Sequence, residues 1–281
     1  MQEPDRNEIR APIIPYGQLS EIYDYVMRHV DYDHWADYIE SIFARFKLTP
    51  DKILELACGT GSMAAILSKR GYQVRGVDQS DGMVAVAKQK AEDEQLSAIF
   101  QQGDMVESPV MNDAFDAIIC LYDSINYLMD EKALRQMLDR VFTNLSPTGI
   151  FIFDACTEIN SKRFFDNEVD QESTDRFSYI RHCEYKAQER VQVNEFQLVF
   201  NRSDGKHDEY FERHEQRIYP IDQLKHLCKE AGFRNLSAFD GFTFQSASEK
   251  SNRVHFVMRP YWYEPHLALE PISFMLIEST F

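Results

Sequence analysis

Glu55 stands between Leu54 and Leu56 in a run of strand character, and the chain then reaches two glycines, Gly59 and Gly61. A carboxylate in a buried strand is costly unless it has partners. Glycine removes Cβ where a backbone must approach a ligand closely or adopt positive φ. A helix beginning near Ser62 aims its free N–H groups at whatever lies above that loop, which favours an anionic or polar group. Gly59-Thr60-Gly61-Ser62-Met63-Ala64 satisfies the dinucleotide pattern GxGxxG/A, and Asp78 falls nineteen residues after Gly59, where a ribose-binding acid would stand. A nicotinamide-dependent oxidoreductase is therefore one reading. Glu55 speaks against it, because a dehydrogenase usually places an apolar residue there. A third carboxylate, Asp104, follows in Gln101-Gln102-Gly103-Asp104-Met105. A simple helix cap is the bland alternative for Asp78, and Asp104 carries a similar one.

The elements that must position these residues are legible in the apolar spacing. Between 52 and 156, apolar runs at 53–57, 74–77, 98–101, 115–121 and 150–155 alternate with helical patterns at 62–69, 82–90 and 131–145. That alternation predicts an α/β fold with a parallel sheet and right-handed crossovers. Before it, Leu19, Ile22, Tyr23, Val26 and then Trp35, Tyr38, Ile39, Ile42 and Phe43 predict two amphipathic helices. After Thr157 the texture changes. Segments 177–186, 191–201 and 210–219 alternate apolar with polar residues, and Ser203-Asp204-Gly205-Lys206 supplies hairpin chemistry, so an antiparallel insertion with one wet face is expected. A helix over 221–231 ending at Gly232 and strands at 233–239 and 254–258 complete the main sheet. The expected division is 1–50 as N-terminal helices, 51–160 with 220–260 as the main domain, 161–219 as an antiparallel β cap, and 261–281 as a C-terminal tail. That tail is too apolar for a free linker; packing on its own chain or on a second subunit, as in a homodimer, is the role it suggests.

Composition narrows the partners. Of 281 residues, 46 are acidic and 30 basic, and the net charge of -16 disfavours phosphate backbones and anionic lipid headgroups, so neither nucleic acid nor a membrane is an expected partner. Five cysteines, 58, 120, 156, 183 and 228, are widely spaced with no CxxC pair, which indicates neither a disulfide framework nor a zinc knuckle, and no metal is expected. A polar N-terminus, MQEPDRNEIR, and the lack of any spanning apolar stretch place the chain in the cytoplasm as an expectation.

Four ordered motifs carry a resemblance. Glu55-Leu56-Ala57-Cys58-Gly59-Thr60-Gly61, Gly76-Val77-Asp78-Gln79-Ser80, Gly103-Asp104-Met105 and Phe115-Asp116-Ala117-Ile118-Ile119-Cys120 resemble the successive motifs of class I S-adenosylmethionine-dependent methyltransferases. Ala57 departs from the glycine many members carry, which its small size makes tolerable. A Tyr16-Gly17-x-x-x-x-Ile22-Tyr23-Asp24 opening, Asp123-Ser124-Ile125-Asn126-Tyr127-Leu128 and Arg213-His214-Glu215-Gln216-Arg217 are similar to a subgroup that methylates small molecules, including amino-sugar N-methyltransferases. The resemblance implies a Rossmann-like seven-stranded sheet, mostly parallel, with an antiparallel last strand and helices on both faces. It implies S-adenosyl-L-methionine as cofactor, S-adenosyl-L-homocysteine as product, and methyl transfer to nitrogen or oxygen of a small-molecule acceptor. In its terms Glu55 and the loop of Ala57, Gly59 and Gly61 serve the methionyl end, and Asp78, flanked by Gln79 and Met83, takes the ribose. Asp104 and Met105 hold adenine, Cys120 and Leu121 line the sulfonium region, and Tyr16 and Tyr23 cover the carboxylate. A donor already activated as a sulfonium leaves the protein to position the reactants and exclude water.

For the acceptor, His214 is the candidate general base or orienting group, with His182 on the same insertion; a structural or solvent-facing histidine is the alternative for each. Asp123, Asn126 and Tyr127 follow the fourth strand at the carboxyl edge where open α/β sheets bind ligands. Asp123 and Tyr127 are the two placed beside His214 in the reaction. Cys58 at a helix start invites a nucleophile reading, yet no histidine lies near it in sequence, and a small residue packed under the loop is the preferred one. A non-catalytic protein that senses the methyl donor, and a protein or RNA methyltransferase, remain rivals at this point.

Overall fold

The computed structural model describes residues 15–107 and 114–261. Expectations for 1–14 and for the tail from 262 onward lie outside the described residues. The strands are β1 Lys52–Leu56, β2 Gln73–Asp78, β3 Ile99–Gln102, β4 Phe115–Cys120, β5 Leu145–Cys156, β6 Glu168–Ser173, β7 Phe177–Lys186, β8 Val191–Asn201, β9 His207–Arg217, β10 Phe233–Asp240 and β11 Arg253–Pro260. The helices are α1 Tyr23–Val26, α2 Tyr32–Arg45, α3 Ser62–Lys69, α4 Asp81–Asp93, α5 Glu131–Asn144, α6 Glu158–Phe164 and α7 Ile221–Glu230.

Seven strands form one sheet in the order β10-β11-β5-β4-β1-β2-β3. The five from β3 to β5 pair in parallel, and β11 runs antiparallel between β5 and β10. Side chains alternate between the two faces with period two. Leu54, Leu56, Ile118, Phe151 and Phe153 pack with α5 and α7 on one side. Ile53, Ala117, Ile119, Ile150 and Ile152 pack with α2, α3 and α4 on the other. Helices therefore cover both faces, which is why these strands read as nearly continuous apolar runs. Among the described residues, no helix is long and apolar enough to cross a membrane.

A second, four-stranded antiparallel sheet runs β6-β7-β8-β9. Its first strand, Glu-Val-Asp-Gln-Glu-Ser over Glu168–Ser173, carries no apolar alternation because it is an edge strand paired on one side only, and so it escapes the periodicity argument, as does the short helix α6. The helix α5 passes straight into β5 at Leu145, five residues earlier than the apolar run begins, because Leu145 pairs with Phe115 ahead of Pro147.

The expectation of two N-terminal helices needs correction. Only α2 is a full helix, capped by Asp31 accepting the His34 N–H. Residues Leu19–Glu21 form a 3-10 turn and α1 is four residues long. The reason is a competing acceptor: the N–H groups of Tyr16, Gln18 and Leu19 donate to the buried carboxylate of Glu212 on β9. The apolar spacing at Leu19, Ile22 and Val26 is used instead to pack on Phe177, Tyr179, Phe196 and Leu198 of the second sheet.

Candidate functional site

The strand order reverses about β1, whose neighbours β2 and β4 lead outward in opposite directions, and the carboxyl ends of such strands bound a natural crevice. A cavity of about 630 Å³ lies there. The loop after β1 contributes Ala57, Cys58, Gly59 and Thr60; the end of β2 contributes Asp78, Gln79 and Ser80; the stretch after β3 contributes Gly103, Asp104 and Met105. Leu121, Tyr122, Ser124 and Tyr127 come from the chain after β4, Tyr16, Tyr23 and Tyr32 from the N-terminal segment, and Arg213 and Glu215 from β9.

The loop after β1 turns by successive left-handed residues, Ala57 at φ +52°, Gly59 at φ +54° and Gly61 at φ +74°. A Cβ at Gly61 would come 2.7 Å from the Phe100 ring, whereas one at Gly59 would meet nothing within 4 Å, so Gly59 presents bare backbone to open space. Ala57 corrects the size argument: what the position demands is positive φ, a conformation that costs an alanine about 1–2 kcal/mol. The Cys58 Sγ is buried at the loop, and burial pushes its thiol well up, which removes the nucleophile reading.

Three carboxylates line this cavity. Glu55 points, like Ile53, toward the α3 face; it accepts the Ala64 N–H, yet its Oε2 is buried with no hydrogen-bond partner. Burial pushes its carboxyl up to about 8, with Asp78 adding to the rise and the Ala64 N–H and Lys90 opposing it. Asp78 accepts the Gly59 N–H at Oδ2 (2.8 Å) and the Ser80 N–H at Oδ1 (2.9 Å). Burial holds its carboxyl above the usual range. The cap of α4 is not Asp78 but Ser80, whose hydroxyl accepts the Met83 N–H. Asp104 accepts the Val106 N–H at 2.7 Å, which turns the chain after β3.

An aromatic wall closes the cavity from the N-terminal side. Tyr16 packs edge-on to Tyr23, and its hydroxyl lies 2.5 Å from that of Tyr127. The segment is tied down at both ends. Ser80 Oγ donates to the Tyr16 carbonyl, and Asp24 accepts the Thr60 hydroxyl at 2.5 Å and pairs with Lys90 at 2.9 Å.

The structure brings together Tyr16, Tyr23, Glu55, Ala57, Gly59, Asp78, Gln79, Met83, Asp104, Met105, Leu121 and Tyr127 around this cavity. Six expected residues do not line it. Asn126 is buried, donating to the Arg217 carbonyl and accepting the Cys156 N–H. Gly61 faces Phe100. Cys120 shares the face of Ile118 and sits in the core under α5, where burial pushes its thiol up. Asp123 is held below the surface by Arg253, with Nη2 to Oδ1 at 2.8 Å, and by Gln216 at 2.6 Å. His214, 1% exposed, lies behind Tyr16 and Tyr127, so the expectation that it faces the acceptor is not met. His182 shares the sheet face of Glu195 and Arg213 but lies away from the cavity, beside Glu184 and Phe211 in a separate depression.

Sequence reasoning missed Glu212 and Lys90, and it gave Asp24, Arg213 and Glu215 a place in quoted motifs but no role at the site. One signal was available: Glu212, His214 and Gln216 share one face of β9 at period two, and all three are buried. Arg213 donates through Nε and Nη2 to Glu215 Oε1 and also pairs with Glu195, so one guanidinium holds two carboxylates at this edge of the cavity.

Residues 53–149 match the model of the family described as "Methyltransferase domain". A Geobacillus sp. (strain WCH70) protein named as a methyltransferase is 32% identical over 245 residues, covering 87% of this chain and 99% of its own. The crystal structure of an S-adenosylmethionine-dependent methyltransferase from Clostridium acetobutylicum ATCC 824 superposes with a TM-score of 0.75 at 24% identity, covering 86% of this chain and 98% of that one. The sugar N-methyltransferase KedS8 from Streptoalloteichus sp ATCC 53650 does so with a TM-score of 0.72 at 18% identity, covering 92% and 99%.

Proposed function

The chain belongs to the S-adenosylmethionine-dependent methyltransferases, and from that premise we propose that it methylates a nitrogen or oxygen atom of a small molecule admitted to the same cavity. The observation that carries this reading is a single cavity lined both by Glu55, Asp78 and Asp104 and by Tyr127, Met129, Arg213 and Glu215, which the cofactor roles leave unassigned. A volume of about 630 Å³ lies within the ordinary range of small-molecule sites, roughly 300–1,000 Å³.

The residues present fit the cofactor. A buried carboxylate oxygen without a partner, Glu55 Oε2, suits the ammonium of the methionyl end, and bare backbone at Gly59 leaves room for the group to lie close. Asp78 keeps lone pairs on both oxygens beyond the N–H groups it accepts, enough for ribose hydroxyls. Asp104 and Met105 would hold adenine, Leu121 would lie by the sulfonium, and Tyr16 and Tyr23 would cover the carboxylate. When bound, the cofactor supplies an activated methyl group. The chain's own work is to hold the acceptor in line and keep water out, with the second sheet, through Arg213 and Glu215, as the roof of the acceptor part.

A small acceptor is favoured over nucleic acid by the net charge of -16. The fold shared with a sugar N-methyltransferase supports a polar acceptor of amino-sugar type. The test is incubation of the purified chain with methyl-labelled S-adenosylmethionine and a whole-cell extract, whose metabolite, protein and RNA fractions are then separated and read by mass spectrometry. Label in a small metabolite is expected; label found only in protein or RNA fractions would overturn the reading.

A further inference from the structure

His214 stands behind the cavity with both ring nitrogens engaged. Nδ1 lies 3.3 Å from the Tyr127 hydroxyl and Nε2 lies 3.2 Å from Glu212 Oε2. Tyr127 Oη is 2.5 Å from Tyr16 Oη, and both tyrosines line the cavity. An unbroken line of hydrogen bonds therefore joins the acceptor part of the cavity to Glu212, a carboxylate with 0% exposure.

Chemistry fixes the direction of this line. Glu212 accepts three backbone N–H groups, from Tyr16, Gln18 and Leu19, at 2.7–2.8 Å, so both its oxygens serve as acceptors. His214 Nε2 must then carry the hydrogen, and Nδ1 must accept from Tyr127. The groups around the ring are Tyr16, 4.5 Å away between centroids, Phe196 at 5.3 Å, Tyr127, and Asn194 opposite on β8, so Glu212 is the negative charge in direct contact with it. Burial pushes both phenols well above their ordinary value, so neither tyrosine stores a negative charge; each can only pass a proton on.

We propose that Tyr127, His214 and Glu212 form the proton acceptor for methyl transfer, with Tyr127 at the cavity and the other two acting through it. The inference rests on the reading of an acceptor that bears an N–H or O–H group. Such an atom would give its lone pair to the new carbon bond as the methyl–sulfur bond breaks with its electrons left on sulfur; it must then shed a proton, and the electrons of its N–H or O–H bond return to it as a lone pair. Its proton passes to the Tyr127 oxygen, directly or through Tyr16, while the proton of Tyr127 moves to the free lone pair of His214 Nδ1. The imidazolium so formed faces the Glu212 carboxylate, which neutralises it. After product leaves, the proton returns by the same line to water. The arrangement places a base where the acceptor cannot crowd it and where bulk water does not compete for it.

The test uses His214→Gln, whose amide can still hydrogen bond to Glu212 but cannot take a proton. S-adenosylhomocysteine formation is followed with labelled S-adenosylmethionine and a metabolite extract as acceptor source. The expected rate falls by about 100-fold or more, the usual range for a lost proton acceptor. Calorimetry with S-adenosylhomocysteine should give an affinity within about twofold of the parent, because the ring does not reach the cavity. A Gln variant that keeps the parent rate overturns the proposal, since hydrogen bonding alone would then suffice. A second measurement needs no acceptor: ¹⁵N spectra of histidine-labelled protein should show His214 protonated at Nε2 and bare at Nδ1, and the opposite tautomer also overturns it. If the parent itself forms no product with the extract, it is the small-acceptor reading that fails, and the tautomer still decides whether the line runs inward.

Discussion

Asp78 accepts the backbone N–H of Gly59 at 2.8 Å, so a carboxylate at the end of β2 fixes the loop that follows β1. The same side chain would serve the ribose, and the two duties separate on mutation. Asp78→Ala leaves two backbone N–H groups without their acceptor, Gly59 and Ser80, and should lower stability by about 1–3 kcal/mol in urea unfolding. It should also weaken S-adenosylhomocysteine binding by at least about tenfold, or ~1.4 kcal/mol, in calorimetry. Unchanged affinity alongside the stability loss would leave Asp78 as a loop brace and nothing more.

Glu55 makes the free protein sensitive to pH. Burial pushes its carboxyl up to about 8 against an ordinary 4.5, so the folded state holds this proton more tightly than the unfolded chain does. The contribution is fully present below the ordinary value and is lost as pH rises through the folded one, which puts the decline between 4.5 and 8. Glu55→Gln should remove that slope, on the order of a few kcal/mol across the window. Chemical denaturation at pH 5 and pH 8 for both proteins reads it directly. Because a bound ammonium favours the ionised carboxylate, binding of S-adenosylhomocysteine near pH 7 should release a proton from the parent and not from the variant, seen by calorimetry in buffers of different ionisation enthalpy.

Ala57 is held at φ +52° in the loop. Glycine there relieves about 1–2 kcal/mol of steric cost but returns about 0.4–1 kcal/mol through the freer unfolded chain. Ala57→Gly should therefore stabilise the protein by up to about 1.6 kcal/mol, read as a higher urea midpoint at constant slope. A variant less stable than the parent would mean that the methyl group makes packing contacts that outweigh its strain.

Particular residues show which parts of this molecule were legible in sequence. The parallel strands, α3, α5, and β7 and β8 of the second sheet fall close to their apolar patterns, because each is decided by local period and burial. Glu55, Asp78 and Asp104 were legible because a charge at the end of a buried strand needs a reason. Glu212 was not. Its partners are the N–H groups of Tyr16, Gln18 and Leu19, 193–196 residues away, and nothing local distinguishes its carboxylate from one on a wet face. The broken N-terminal helix has the same cause seen from the other end. His214 was expected to face the acceptor and lies instead behind Tyr16 and Tyr127, since pattern gives the face of a strand but not what is laid across it.

Arg253 binds two carboxylates under the cavity floor, pairing with Asp123 at 2.8 Å and with Asp154, which is 0% exposed. Its guanidinium also lies over Trp35 and Tyr122, at 5.4 and 5.5 Å. The clasp holds Tyr122 and Asp123 at φ +64° and +49°, the left-handed turn that presents Tyr122 and Ser124 to the cavity. Arg253→Met strips the charge while keeping much of the apolar stem. Removing one side of a buried ion cluster costs about 3–5 kcal/mol, and urea unfolding near pH 8 should show a loss of that size. Burial already holds both carboxyls above their ordinary range, and the guanidinium is the chief force drawing them down. Without it their folded values rise further, so the variant is most penalised at high pH and recovers as protonation neutralises the pair. The gap between parent and variant should narrow steadily from pH 8 to pH 5. A gap that stays constant across that range would mean that Arg253 stabilises the turn through its stacking on Trp35 and Tyr122 rather than through charge.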